Sequence, residues 1–284
     1  MIGVLFDGLA YGALLFLVSV GLSVTMGLMN FVNLAHGAFA MAGGYVCAVA
    51  MTRWGVPFLA ALPLAFLVTA LLGALLERTL YRRLYGASQL DQVLFSIGLT
   101  FVAIAAATWA FGAGQQPMRL PGFLRGQWTL AGTDFGVYRA FLLATVAVVS
   151  GALALMVART RFGARLRAAV DDGVAARGLG IDVDRVFSVA FALGSGLAGL
   201  GGALGIEVLG LDASFPLKFM VYFLLVVVVG GAGSVRGPLV AALLLGVVDV
   251  AGKYYVPQAG AFGIYAAMVV LLVAFPHGLF GRRH

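Results

Sequence analysis

The chain has 284 residues, 62% of them hydrophobic and only 10% charged, with a formal net charge of +7 and a mean hydropathy of +1.06. That apolar share exceeds what ordinary soluble domains hold, so the chain reads as an integral membrane protein with the lipid bilayer as one of its partners. A positive charge of this size suits nucleic acid only when the basic residues gather on one soluble face; here they are scattered between apolar stretches, which excludes that partner.

A span needs about 20 mostly apolar residues to cross about 30 Å of hydrocarbon. The opening MIGVLFDGLAYGALLF has no basic region and no small-residue cleavage site, and is expected to begin the first helix rather than a signal peptide. From Asp7 to Arg53 there is no formal charge, about twice the length of one span, so the chain must turn back near Asn30 to Gly37. Helices are expected near residues 7 to 28, 36 to 52, 57 to 77, 91 to 112, 138 to 158, 187 to 207, 216 to 231, 238 to 251 and 260 to 276. The fold class is therefore all-α: one transmembrane domain over residues 1–284, a polytopic helical bundle of eight or nine segments. Segments 36 to 52, 216 to 231 and 238 to 251 are short for full spans, and are expected to be broken or re-entrant. Residues 113–137, rich in Gly and polar side chains and containing Trp128 with Trp109 nearby, read as an external loop.

Arg78, Arg82 and Arg83, the Arg159 to Arg185 stretch, Arg236, and Arg282 with Arg283 hold 12 of the 18 Lys and Arg residues. Placed on the cytoplasmic side, as the positive-inside rule expects, they give a path with the C-terminus inside and the N-terminus outside. The lone Cys47 excludes an internal disulfide and reads as a buried structural thiol. The 40 glycines include GxxxG spacings at Gly8/Gly12 and Gly201/Gly205, which let membrane helices approach closely. Gly194, Gly196 and Gly199 form a formal GxGxxG, but within an apolar span and after no strand, so a dinucleotide site is rejected. No GxxxxGK[ST] occurs, and Lys218 and Lys253 are the only lysines, so the chain does not bind ATP through a P-loop. Paired carboxylates, metal-ligand clusters and nucleophile–base pairs are likewise not evident, so no catalytic or metal-binding residue is assigned and the chain is not expected to be an enzyme.

Asn30, Asn33 and His36 bring hydrogen-bonding groups into charge-free sequence, where unsatisfied polar groups cost several kcal/mol, about 2–7 each. Two readings follow: a discontinuous helix that lines a solute pathway, or a helix-to-helix turn capped by Asn33, with Gly37 permitting close approach. Gly230, Gly231, Gly233 and Ser234 pose the same choice later in the chain, and in both places the turn is favoured. Glu207 and Asp249 are carboxylates in apolar sequence; both are expected at segment ends, Glu207 external and Asp249 near Lys253.

Residues 163–185, GARLRAAVDDGVAARGLGIDVDR, form the one long charged block. Its first part favours a short helix that Gly178 and Gly180 can end. Ala175, Ala176, Gly178 and Ile181 offer a small, partly apolar face for docking, while the arginines also fit a solvated loop that only sets topology. On these physical grounds the two readings balance.

Three stretches break that balance. RAAVDDGVAARGLGIDVDRVFSVAFALGSGLAGLGGAL, GLMNFVNLAHGAFAMAGGYV and VVVVGGAGSVRGPLVAALLLGVV, with the FPHGLFGRR ending, resemble the branched-chain amino-acid ABC transporter permeases of the LivH type. The resemblance implies a permease that pairs with a second, related permease, two cytoplasmic ATPase subunits and a periplasmic substrate-binding protein. ATP and Mg would sit on the ATPase partners, and no cofactor on this chain. It also implies a multi-pass protein of the bacterial inner membrane. Loop 159–186 would carry the helix that couples to the ATPases, with Asp171, Asp172, Ala175, Ala176, Gly178, Gly180 and Ile181 as its contact residues; Val174 stands where the fuller coupling motif has Glu. The solute would be a branched-chain or related hydrophobic amino acid. The alternative is a stand-alone secondary transporter or channel for a small neutral solute, which would ordinarily show buried ion sites that this sequence lacks.

Overall fold

The computed structural model describes residues 1–29, 31, 33–118, 120–130, 132–231, 236–258, 260–275 and 278–280. The described residues fold into a polytopic helical bundle. Its helices are α1 (Ile2–Met29), α2 (His36–Arg53), α3 (Phe58–Thr79), α4 (Gln89–Phe111), α5 (Val137–Arg159), α6 (Arg161–Asp171), α7 (Gly173–Gly178), α8 (Val183–Leu209), α9 (Phe215–Gly230), α10 (Arg236–Tyr255) and α11 (Gly260–Ala274). Among the described residues, α1, α3, α4, α5, α8 and α10 are long and apolar enough to cross a membrane. Each of the nine expected segments has its helix. Segment 238 to 251 is longer than expected, because the helix runs on through charged and aromatic residues at both ends, from Arg236 to Tyr255.

The packing centres on α8 and α1, the most buried of the long helices. Helix α8 touches α1, α2 and α3, and α1 also lies against α10. The Gly-rich run of α8 explains how one helix serves three neighbours: Gly194 faces Gly21 of α1, Gly199 faces Gly43 of α2 and Thr69 of α3, and Gly202 faces the Ala40 backbone. A Cβ at Gly43 or Gly202 would overlap the facing backbone. In a bilayer, where apolar side chains gain nothing by leaving lipid, helices associate through packing and hydrogen bonds, and small residues permit the close backbone approach that packing needs. The expected Gly8/Gly12 pair serves the same end, against Gly246 and Ala242 of α10. Helices α4 and α5 lie at the periphery and expose most of their surface.

One end of the bundle carries α6, α7, the N-terminus of α8 and a single 3-10 turn at Tyr81–Leu84. The other end carries the start of α1 and the 113–137 loop, where Asp7 pairs with Arg139 and Phe6 meets Phe135 edge-on at 5.1 Å. This loop is not wholly irregular: β1 (Gln127–Leu130) and β2 (Thr133–Gly136) form an antiparallel hairpin with Trp128 opposite Phe135. An all-α fold thus gains one two-stranded ribbon. Cys47 is fully buried on α2, with Met51 Sδ 3.9 Å from its thiol.

Candidate functional site: the 173–178 turn and the helix breaks

The charged block folds as two helices rather than one. Chain reversal after α5 brings Gly163 so close to the Met156 and Val157 carbonyls that any Cβ would overlap them. Thr160 Oγ1 caps α6 by accepting from Gly163 N at 3.0 Å. Asp172 then breaks the helix, its backbone extended at φ −155 and ψ 99. Its Oδ1 accepts from Val174 N and Ala175 N, both at 2.9 Å, so it starts α7 as a side-chain cap. Helix α7 ends at Gly178, and Gly180, at φ +80, turns the chain toward α8.

This geometry corrects the expected contact face. Ala176 is 2% exposed and packs with Leu166, Ala169, Val183 and Val186; Ile181 leans on the same cluster. Ala176 thus holds α7 to the bundle and does not face outward, while Ile181 is half-buried. Ala175, Gly178 and Gly180 are exposed, as are Asp171 and Asp172. The most prominent outward residues are Val174, 80% exposed, and Leu179, 82% exposed, two apolar side chains among arginines. The only sign of them in sequence was Val174, an apolar residue at a position where a charged one was expected.

Behind α7 lies a polar network that the sequence did not disclose. Asp184 of α8 accepts from Arg177 of α7 at 3.0 Å and from Arg82 at 2.5 Å. The hydrogen bond to Asp184 holds the Arg82 guanidinium firmly in its charged form. Beneath it Glu77, 1% exposed, accepts from Tyr85 Oη and Ser188 Oγ, each at 2.6 Å.

The expected break between α1 and α2 is present, and Asn33 and His36 in it are both partnered. Asn33 Oδ1 accepts from Ala35 N at 3.1 Å and from Tyr81 Oη at 2.9 Å, so it caps the turn and not α2 itself, whose first residue follows Ala35. His36 Nε2 donates to Val18 O at 2.8 Å, and Ser96 Oγ accepts from Leu34 N at 3.2 Å. Gly37 lies against Pro216 of α9, where a Cβ would come within 3.0 Å of the Pro216 backbone. Asn30 lies outside the described residues.

At the second break, Gly231 adopts φ +92 and Gly230 abuts Gly237 and Pro238. Leu279 N and Phe280 N donate to the Val229 and Gly230 carbonyls at 2.7 and 3.3 Å, so the chain beyond α11 returns to this point. Gly233 and Ser234, and likewise His277, Arg282 and Arg283, lie outside the described residues.

A third break, in the gap expected between the 187 to 207 and 216 to 231 segments, joins α8 to α9, and its polar knot at Asp212 was not foreseen in sequence. Gly210 takes φ +72, and Asp212 gathers Ser214 N at 2.8 Å, Ser214 Oγ at 2.5 Å and the Lys218 ammonium. Burial alone would raise the Asp212 carboxyl, but the hydrogen bonds from Lys218 and Ser214 outweigh it and hold it below the usual carboxylate range. Nearby, Met118, Leu120, Arg125 and Glu207 line an open cleft in which the two charged side chains are not paired with each other. Asp249 is paired with Lys253 at 2.5 Å, as expected, but is 1% exposed and enclosed by the bundle.

An apolar bundle interrupted by three helix breaks, with a charged helical turn at one end, is the form of a multi-pass membrane transport component. A family model described as the permease component of the branched-chain amino acid transport system matches residues 4–275, and the chain belongs to that family. It is 28% identical to the high-affinity branched-chain amino acid transport system permease protein BraD of Pseudomonas aeruginosa, over 98% of this chain and 95% of that one. It is 25% identical to the permease protein LivH of Escherichia coli K12, over 98% and 94% respectively. The permease protein LivM of Salmonella typhimurium is 30% identical over 81% of this chain and 59% of its own. No solved structure gives a significant match.

Proposed function

We propose that this chain is one of two related permease subunits of an ATP-driven importer for branched-chain or related hydrophobic amino acids in the bacterial inner membrane. Similarity to both LivH and LivM, two permease proteins bearing the same system's name, supports a paired arrangement. Two ATPase subunits on the cytoplasmic side would hydrolyse ATP with Mg, and a periplasmic binding protein would deliver the solute to the opposite face. There the Arg125 and Glu207 cleft offers both charges that a zwitterion needs.

The observation that carries this reading is the α7 surface. Val174 and Leu179 are exposed apolar residues on a turn otherwise surrounded by charge, and an apolar anchor with a charged rim suits a groove on a soluble partner. Docking there and at the outer face would bias the bundle between outward- and inward-open states. The C-terminus then lies on the cytoplasmic side, with α6 and α7.

Replacing Val174 and Leu179 together with Asp tests it. The expected result is a permease pair that reaches the membrane normally, fails to retain its ATPase subunits on purification, and takes up no amino acid above background. Full association with wild-type uptake would overturn the assignment.

A further inference from the structure

We infer that the Tyr81–Leu84 turn is a lever joining α7 to the α1–α2 break, with Arg82 and Tyr81 as positioning residues that transmit movement of the docking turn to the helix interruption at Asn33. The inference rests on the importer reading above and adds to it a specific route between two sites. The route has two halves on adjacent residues.

The outer half is ionic. Arg177 lies on α7, Arg82 on the turn, and both hold the same carboxylate, Asp184, at the start of α8. All three side chains are partly open to water, so the pairs contribute little to stability and exchange partners readily. Anything that repositions α7 therefore moves Arg177 against Asp184 and shifts the carboxylate that Arg82 also holds.

The inner half is rigid. The Tyr81 ring is fully buried among Phe31, Phe95 and Phe191, with centroids 5.3, 5.3 and 4.8 Å away. Its hydroxyl reaches Asn33 Oδ1, the atom that also caps the Ala35 amide in the break. In a 3-10 turn, with about three residues per turn, neighbouring side chains point about 120° apart. One short element thus presents Arg82 outward and Tyr81 inward. Glu77 fixes the base of the lever, because Tyr85 and Ser188 both donate to it and tie the turn to α3 and α8. A displacement of Arg82 then rotates the turn about that base instead of dissipating along the chain. Coupling between separated sites is carried by contiguous packed and hydrogen-bonded elements of this kind.

The test uses the complete transporter, with both permeases, the ATPase subunits and the binding protein, in liposomes, and reads leucine taken up per ATP hydrolysed. Tyr81→Phe keeps the ring and removes only the Asn33 bond; Asp184→Asn loosens the ionic half. We expect both variants to assemble and to hydrolyse ATP at the basal rate, but to lose about fivefold or more in uptake per ATP. The double variant should fall no further than the worse single one, since both lie on one route. Arg82→Gln should behave like Asp184→Asn, whereas Arg82→Lys, which keeps the charge, should recover most of the ratio. A purely structural role would alter yield or thermal stability and leave the ratio unchanged. An unchanged ratio in Asp184→Asn and Arg82→Gln, or additive losses in the double variant, overturns the lever. A wild-type complex that moves no amino acid overturns the importer reading itself.

Discussion

Glu77 shows how much one side chain can organise in an apolar chain. It is a carboxylate enclosed by the bundle, and two hydroxyls from different elements converge on it. Removing an acceptor of this kind leaves both donors buried and unpartnered, so Glu77→Ala should lower stability by about 2–3 kcal/mol, with Glu77→Gln costing less because its amide oxygen still accepts. Thermal unfolding of the purified permease in detergent measures this, and equal melting temperatures for wild type and Glu77→Ala would contradict it. The importance of Glu77 was not legible in sequence. Its partners stand 8 and 111 positions away, and a lone Glu at the end of an apolar stretch looks like any interfacial charge. Asn33 was more legible, because a polar amide inside a stretch too long for one span had to sit at a turn. Its bond to Tyr81 again needed the fold.

At the scale of elements, the glycines divide into two groups that substitution should separate. Gly202 of α8 faces the Ala40 carbonyl so closely that even a methyl group would overlap it, whereas Gly151 of α5 has nothing within 4 Å. Gly202→Ala should therefore cost about 1–3 kcal/mol through overpacking. Gly151→Ala should be neutral or stabilise by up to about 1 kcal/mol, since glycine in a helix interior has an entropic cost and little packing to offset it. The contrast is read from paired melting curves, and a Gly202→Ala protein as stable as wild type would show that α2 and α8 yield more readily than their backbone contact suggests. The GxxxG spacings announced close approach correctly at Gly8, Gly12 and Gly201 but not at Gly205, which meets only side chains, and they did not tell which helix met which. The same limit applies to α7: six residues make too few turns to reveal an inward face, so Ala176 was counted with the outward residues. The β1–β2 hairpin escaped because its strands are four residues each, too short for alternation to register.

For the molecule as a whole, the nine apolar segments and the two ends of the bundle were legible because bilayer thickness and the placement of charge dictate them. The knot of Asp212, Ser214 and Lys218 in the third break was not, since only one carboxylate and one serine mark it in an apolar run. The two-ended arrangement predicts a result in sealed membrane vesicles. A cysteine replacing Leu179 on the α7 side and one replacing Thr129 in the hairpin should react with a membrane-impermeant maleimide from opposite faces. Labelling of both from the same face would refute the path. The native thiol makes that experiment simple. Cys47 is shut inside the bundle against Met51, so polar reagents should pass it by. The natural chain is then already a silent background for spectroscopy, in which paired probes at α7 and the hairpin would report the distance between the two faces through a transport cycle without first deleting a native residue.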